Sequence, residues 1–292
     1  MEEGRVFEEM YRTINTSEIS VLRNVHRFPV YGHDIISPNL MVCINHSGTA
    51  RVLYDMQEVV FHPHEIAVVL PNHILHPLES SPDYCVTLIV HSTALSEELK
   101  TKRFTHDAHK FHRIPSCPVE DEDMEQFMKA VDLLDHLCRS SLKRYPLRHE
   151  MLIAQTNVMT EMVNAFRREI DEKAKNEDYK HAVFCEFCEL VAMHYREQHE
   201  VLFYAEKLHL SPRYFSVLIK EVIGVSASDY IEEYIATQAK NILTTRPDLS
   251  VQQVSYMLGF AESPSFCRFF KRVTAMTPKD FRLAMRPDRD RS

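Results

Sequence analysis

The chain has 292 residues, 45% of them hydrophobic and 26% charged, with a formal net charge of −8. That length holds about two domains, each large enough to bury a core of its own. No run approaches the ~18 consecutive apolar residues of a membrane span, and the acidic start MEEGRVFEEM is unlike a signal peptide, so the expectation is a soluble cytoplasmic protein with no membrane partner.

The charge is unevenly spread. Residues 1–180 hold 20 basic and 28 acidic side chains, residues 181–292 hold 14 of each, and from Lys240 onward there are 10 basic against 5 acidic. Positive potential is therefore concentrated at the C-terminal end, where affinity for an anionic partner would rest on local contacts more than on a global field.

From about Ile19 to His112 short apolar runs recur between Pro, Asn, His and Gly: LMVCIN, ARVLY, EVVFH, IAVVL and CVTLIV. Runs of this length and β-branched content predict strands, and several at this spacing predict a sandwich or barrel. Within HPHEIAVVLPNHILHPLE, residues 62–79, His62 and His64 are two apart and would share a strand face, so that with Glu65 and His73 or His76 they approach a metal-binding set. Against that, Pro63 between them indicates an edge or turn, and Glu65 follows at once and points to the opposite face. These histidines are read as surface or structural, with no metal and no cofactor assigned. A small-molecule pocket at the barrel mouth, lined by apolar and His or Tyr side chains, is expected, but no residue identifies its ligand.

Between Glu120 and Lys175 the period changes. Met124, Phe127, Met128, Val131, Leu134 and Cys138 fall on one helical face, and Met151, Leu152, Val158, Met159, Met162, Val163, Phe166 and Ile170 on that of a second helix, with Tyr145-Pro146 between them. Such stripes pack onto the strand unit, form a homodimer interface, or do both. The polar stretch KAKNEDYK, residues 173–180, reads as a linker. Cys185 and Cys188 are the one close pair among seven cysteines, with His181 nearby; they sit in an apolar helical pattern with Phe184 and Phe187, which favours packing over metal or redox chemistry.

The last third is one helical design written twice. VLFYAEKLHL, residues 201–210, matches VQQVSYMLGF, residues 251–260, at an offset of fifty. After one extra residue Phe215 meets Phe266, Ile219 meets Phe270, Lys220 meets Lys271, Ser226 meets Thr277 and Tyr230 meets Phe281. Two copies are fewer than the roughly three a stacked array needs, so a pair of helix-turn-helix modules is predicted. Small Ala205 and Ser255 allow close helix crossing. Gly259, and His209 in the first copy, stand where a helix end turns left-handed. Ser211-Pro212 and Ser263-Pro264 read as N-cap and first helical residue, and Ala275 in place of Gly224 implies a less strained turn or an altered helix end. SASDYIEEYIATQAKNILTT, residues 226–245, is the long helix between the modules, and RPDRDRS, residues 286–292, reads as a disordered tail.

Gly259, Phe260, Phe266, Arg268, Phe270, Lys271, Thr277 and Pro278 together resemble the DNA-binding domain of AraC/XylS-type bacterial transcription regulators. Pro71, Asn72 and His76 resemble, more loosely, the cupin-like sensor barrel at the N-terminus of that family. The resemblance implies an α+β protein of two domains: a cupin-like sensor over residues 1–118 with a helical dimerisation hairpin over 119–175, and an all-α double helix-turn-helix over 183–286. It implies a non-enzymatic regulator of promoter DNA that answers to a small-molecule effector and forms a homodimer, with direct contact to RNA polymerase left open. The rival class is a metal-dependent cupin enzyme whose helical C-terminal domain makes protein contacts.

A recognition helix shows its early, exposed positions to base edges while apolar positions hold it to the body. Phe215, Leu218, Ile219 and Val222 are the expected buried set of the first, which leaves Arg213, Ser216, Val217 and Lys220 outward. Phe266, Phe269 and Phe270 play that part in the second, which leaves Ser263, Pro264, Cys267, Arg268 and Lys271 outward. The resemblance assigns DNA contacts to these outward positions. Arg268 has the geometry to read a guanine, and Lys220 and Lys271 suit phosphate. Val217 and Pro264 depart from the family pattern, so each module has lost a base hydrogen bond unless Val217 touches a thymine methyl.

Overall fold

In the computed structural model residues 18–26, 34–100, 108–141, 143–173 and 178–285 are described. Residues 1–17, the middle of the expected linker (residues 174–177) and the tail from Arg286 lie outside them. The N-terminal half is built from β1 (Ile19–Val25), β2 (Ile35–Ile36), β3 (Met41–Ser47), β4 (Ala50–Tyr54), β5 (Gln57–Phe61), β6 (Glu65–Val69), β7 (Ile74–Ser80), β8 (Cys85–His91) and β9 (Ser116–Pro118), with α1 (Thr93–Lys100) and α2 (Ala108–Arg113) before β9. All pairs are antiparallel, in two sheets ordered β1-β8-β3-β6-β9 and β2-β7-β4-β5. The expected β unit is present, but its described strands pair as two sheets and not as one closed barrel.

The larger sheet is buried on both faces, which is why its strands read as unbroken apolar runs. Successive side chains of a strand point opposite ways. Cys43, Ala67, Val69, Val86, Leu88 and Val90 therefore face the smaller sheet and pack with Val52, Tyr54, Phe61 and Leu75. Ile44, Ile66, Val68 and Ile89 face the other way, onto α3 (Asp121–Arg139) and α4 (Arg148–Lys173). Phe127, Val131 and Leu134 of α3 and Leu152, Met159 and Val163 of α4 complete that layer. Two residues of the predicted α4 stripe are exposed instead, Met151 and Val158. Their inward places go to Thr156 and to Arg167, which is 1% exposed, donates to the Ile114 and Lys110 carbonyls at 2.6 and 2.7 Å, and lies over the Phe111 ring.

The histidines of residues 62–76 scatter. His62 is exposed; His64 sits in a turn at φ 62 beside the Asp121 carboxylate, 2.9 Å away. His76 pairs with Asp34, and His73 is buried against Asp55. The H-x-H pair does not converge because the turn at His64 ends the strand before it. Among the described residues no helix is long and apolar enough to cross a membrane.

The helical half holds α5 (Asp178–His194), α6 (Val201–Lys207), α7 (Pro212–Ile223), α8 (Ala227–Thr245), α9 (Val251–Met257), α10 (Ser263–Thr274) and α11 (Pro278–Ala284). Its core takes in Ile36 and Ile74 of the strand unit, so the two halves share one apolar seam. A polar contact flanks it. Lys240 of α8 reaches Asp34 at 2.6 Å and Glu233 at 3.4 Å. Burial works against the Asp34 carboxylate, but Lys240 and hydrogen bonds involving Glu233, Lys240 and His76 hold it well below the usual carboxylate range, while burial and Asp34 push Glu233 up to about 7. Removing one partner of such a buried pair costs about 3–5 kcal/mol, because the other charge is left uncompensated. Lys240→Met should lose that much in a urea titration followed by circular dichroism, and Asp34→Asn on top of it should recover part of the loss.

Candidate nucleic-acid interface

Each module begins with a short helix that must approach its partner closely. Ala205 on α6 and Ser255 on α9 are fully buried at those crossings, as the repeat required. The turns that follow are left-handed, His209 at φ 56 and Gly259 at φ 80. Gly259 is fixed by space as well as by φ, since a Cβ there would lie 1.7 Å from the Arg196 carbonyl oxygen. Ser211 caps α7 by accepting from the Tyr214 N–H, with Pro212 as first helical residue. Capping boxes start α8, through Ser226 and Asp229, and α9, through Ser250 and Gln253.

Aromatic side chains pin the recognition helices to the body. Phe215 of α7 meets Phe187 of α5 edge-on at 5.1 Å between centroids. On α10, Phe266 lies 5.4 Å from Phe260, and Phe270 lies 5.7 Å from Phe281 of α11. Phe215, Leu218, Ile219, Phe266 and Phe270 are buried, whereas Val222 and Phe269 are half-buried. With those residues inward, Arg213, Ser216, Val217 and Lys220 are exposed on α7, and Pro264, Arg268 and Lys271 on α10. Val217 is an apolar side chain left 51% exposed on that edge. Arg268 donates to the Ser265 hydroxyl at 3.2 Å and is otherwise solvent-facing.

Ser263 and Cys267 are only half-buried, and Cys267 packs against the helical core. The sequence also misplaces one cap: α10 starts at Ser263 with Glu262, the counterpart of Ser211, as its N-cap and no side-chain cap bond, so the Ser-Pro pair of the second copy sits one residue further into its helix than in the first. Proline is tolerated at Pro264 since the first turn has no intrahelical N–H bonds to lose. Ala275 keeps the same left-handed cap as Gly224, φ 61 against 78. The turn is therefore not relaxed by the alanine; it carries a Cβ where glycine would carry none. Two edge residues escaped the sequence reading. Tyr214 is exposed three residues before Val217, a helical spacing that marks the same face, and Ser265 is its counterpart in the second module. Arg272, by contrast, is turned away by a two-pronged ion pair to Glu232 of α8 at 2.8 and 2.9 Å.

Paired short helices, each followed by a helix with a pinned inner face and an open polar edge, define a helix-turn-helix DNA-binding domain. Residues 204–284 match the helix-turn-helix domain family, and this part of the chain belongs to its AraC type. The HTH-type transcriptional regulator YobQ of Bacillus subtilis is 28% identical over 146 residues, 50% of this chain and 56% of that protein. The arabinose operon regulatory protein of Salmonella typhimurium is 29% identical over 96 residues, 32% of this chain and 34% of that protein. Among solved structures, ToxT from Vibrio cholerae aligns with a TM-score of 0.46 at 13% identity, over 93% of this chain and 96% of that one. The chain spans between 10% and 56% of the length of the curated relatives it matches.

A non-glycine residue in the left-handed region costs about 1 kcal/mol. Ala275→Gly should raise the unfolding free energy by about that amount, and Gly259→Ala should lower it by more than 2 kcal/mol, since backbone has to move. Chemical denaturation of the full chain checks both.

Proposed function

We propose that the chain is a sequence-specific transcription regulator whose two recognition helices enter adjacent major grooves about one helical turn apart. The observation that carries this reading is the pair of open edges on α7 and α10, each with a lysine at the matching position, Lys220 and Lys271, and each with an arginine, Arg213 or Arg268. The lysines would hold phosphate and fix register; the arginines would read bases, Arg268 through guanine O6 and N7. Ser216, Val217, Ser263, Pro264 and Cys267 complete the two contact sets, with Tyr214 and Ser265 added to them. Activity of this kind belongs in the cytoplasm, where the operator is.

The N-terminal unit would supply control. An apolar cavity between the larger sheet and the helices α3 and α4 is lined by Leu40, Ile89, Phe127 and Met159, and it contains His91 and Thr156. The ring nitrogens of His91 and the Thr156 hydroxyl are buried without a hydrogen-bond partner among the described residues. The cavity measures about 30 Å³, the size of a water or two, so an effector with an apolar body and a hydrogen-bonding group would have to widen it on binding; the place lies outside the two-sheet interior and not at a barrel mouth. Homodimerisation is supported by the apolar side chains that α4 leaves in solvent, Met151 and Val158.

Selection of bound sequences from a random DNA pool, followed by fluorescence anisotropy, tests the reading. Arg268→Ala should weaken the selected site by about 1–3 kcal/mol and relax preference at one base pair. Lys271→Ala should weaken all sequences alike and flatten the salt dependence by about one ion. An unchanged affinity and base preference for Arg268→Ala at physiological salt would remove Arg268 from the interface.

A further inference from the structure

A second cluster of chemically able side chains lies at the seam between the strand unit and α5 and α8, apart from both reading edges. It begins at the two-residue turn joining β4 to β5. Asp55 and Met56 both take positive φ there, 46 and 67, a conformation usually left to glycine and asparagine. Residues held in such backbone states gather where the surroundings impose a particular side-chain position. Here the turn drives the Asp55 carboxylate inward to zero exposure.

Four groups from three separate segments meet that carboxylate. Its Oδ1 accepts from the Ile74 N–H at 2.9 Å and the Tyr230 hydroxyl at 3.0 Å. Its Oδ2 faces His73 Nδ1 at 2.5 Å and His112 Nε2 at 3.2 Å. The Tyr230 oxygen also lies 3.1 Å from Cys188 Sγ, which brings the thiol of α5 into the group. Ligand atoms of Asp55, His73 and Cys188 all lie within 4.8 Å of one another, and all three residues are buried.

We propose that Asp55, His73 and Cys188, with His112 as the fourth ligand, bind one zinc ion that joins the strand unit to α5. One thiolate, two imidazoles and one carboxylate make a set that zinc accepts in tetrahedral geometry, and four protein ligands make a closed, structural site. Tetrahedral bonds of about 2.0–2.3 Å place ligand atoms some 3.3–3.8 Å apart, so binding asks the Asp55–His73 contact to open by about 1 Å while the longer edges contract. The charge balance favours it: a dication with one carboxylate and one thiolate leaves no net charge in the interior, where an uncompensated ion is costly. His112 also has its outer support, because its Nδ1 lies 2.9 Å from His181 Nδ1, the kind of contact that orients a ligating imidazole. Cys185, on the neighbouring face of α5, takes no part. The site does not depend on the DNA-binding reading.

The test uses the full chain, purified reduced and without chelators from zinc-supplemented cells. Metal analysis should find one zinc per chain, and chelation should lower the thermal midpoint, since a metal bound only by the folded state stabilises it. Cobalt(II) exchanged into the site should show tetrahedral visible bands and a thiolate-to-cobalt charge-transfer band. Cys188→Ser should abolish the charge-transfer band and His73→Gln should shift the visible bands, while Cys185→Ser and Cys267→Ser leave both. Folded wild type that stays metal-free after dialysis against zinc would show that protons alone occupy these atoms and would overturn the proposal. So would a charge-transfer band that survives Cys188→Ser.

Discussion

How near two helices can come at a tight turn decides what the second one shows to the outside. In this chain the limit is set by the fully buried Ala205 and Ser255 at the crossings, and by the left-handed turns at His209 and Gly259. A larger side chain at either crossing would push the recognition helix off its seat, and the ring contacts of Phe215 with Phe187 and of Phe266 with Phe260 could not form. The exposed edge of each recognition helix is thus a consequence of what is absent on the helix before it. Such an edge gains little energy from its own residues, since an exposed arginine or lysine contributes almost nothing to folding. Its position is set from behind, by aromatic burial worth several times more.

The helix α8 carries this arrangement into the strand unit. Tyr230 near its start holds Asp55, and Lys240 ten residues later holds Asp34. Ten residues of helix span about 15 Å, so two buried carboxylates of the strand unit are tied to one rigid rod at two separated points. The same helix joins the two helix-turn-helix modules and packs against both recognition helices. A buried ion pair adds little net stability over an apolar one; what the Lys240–Asp34 pair adds is a defined register between the halves, since separating the two leaves a largely buried ammonium short of its nearest carboxylate.

Much of this was legible in the residues, and the parts that were not share a cause. Strands such as IAVVL, the double module, its small crossing residues and the caps at Ser211, Ser226 and Ser250 are local signals, each complete within a few residues. The division into two sheets depends on which strand pairs with which, and alternation along a strand does not encode that. On α4 an assumed apolar stripe took in Met151 and Val158, while the inward places belong to Thr156 and Arg167, because backbone carbonyls of α2 and the loop after it accept the Arg167 guanidinium. The apolar pattern around Cys188 favours packing over metal chemistry and the residue is buried, but nothing near it in the chain announces Asp55, His73 and Tyr230, which arrive from segments tens to more than a hundred residues away. Ala275 misled in the opposite sense: a missing glycine invites the inference of a relaxed turn, yet the first module's backbone path is kept and the strain accepted.

The two modules are alike in skeleton and unlike at the edge. Where α7 has Arg213, α10 has Pro264; where α10 has Arg268, α7 has Val217; only the lysines coincide. Phosphate contacts position a protein and base contacts specify it, so equal lysines with exchanged arginines would give both helices the same seat on the duplex while their guanidinium groups reach different base steps. Val217 adds an apolar surface suited to a thymine methyl at the step where its counterpart offers donors. On the DNA-binding reading, one chain therefore faces two unlike half-sites and has a direction along the duplex. A symmetric dimer would recover a palindrome only at the level of whole chains, each half of it composite.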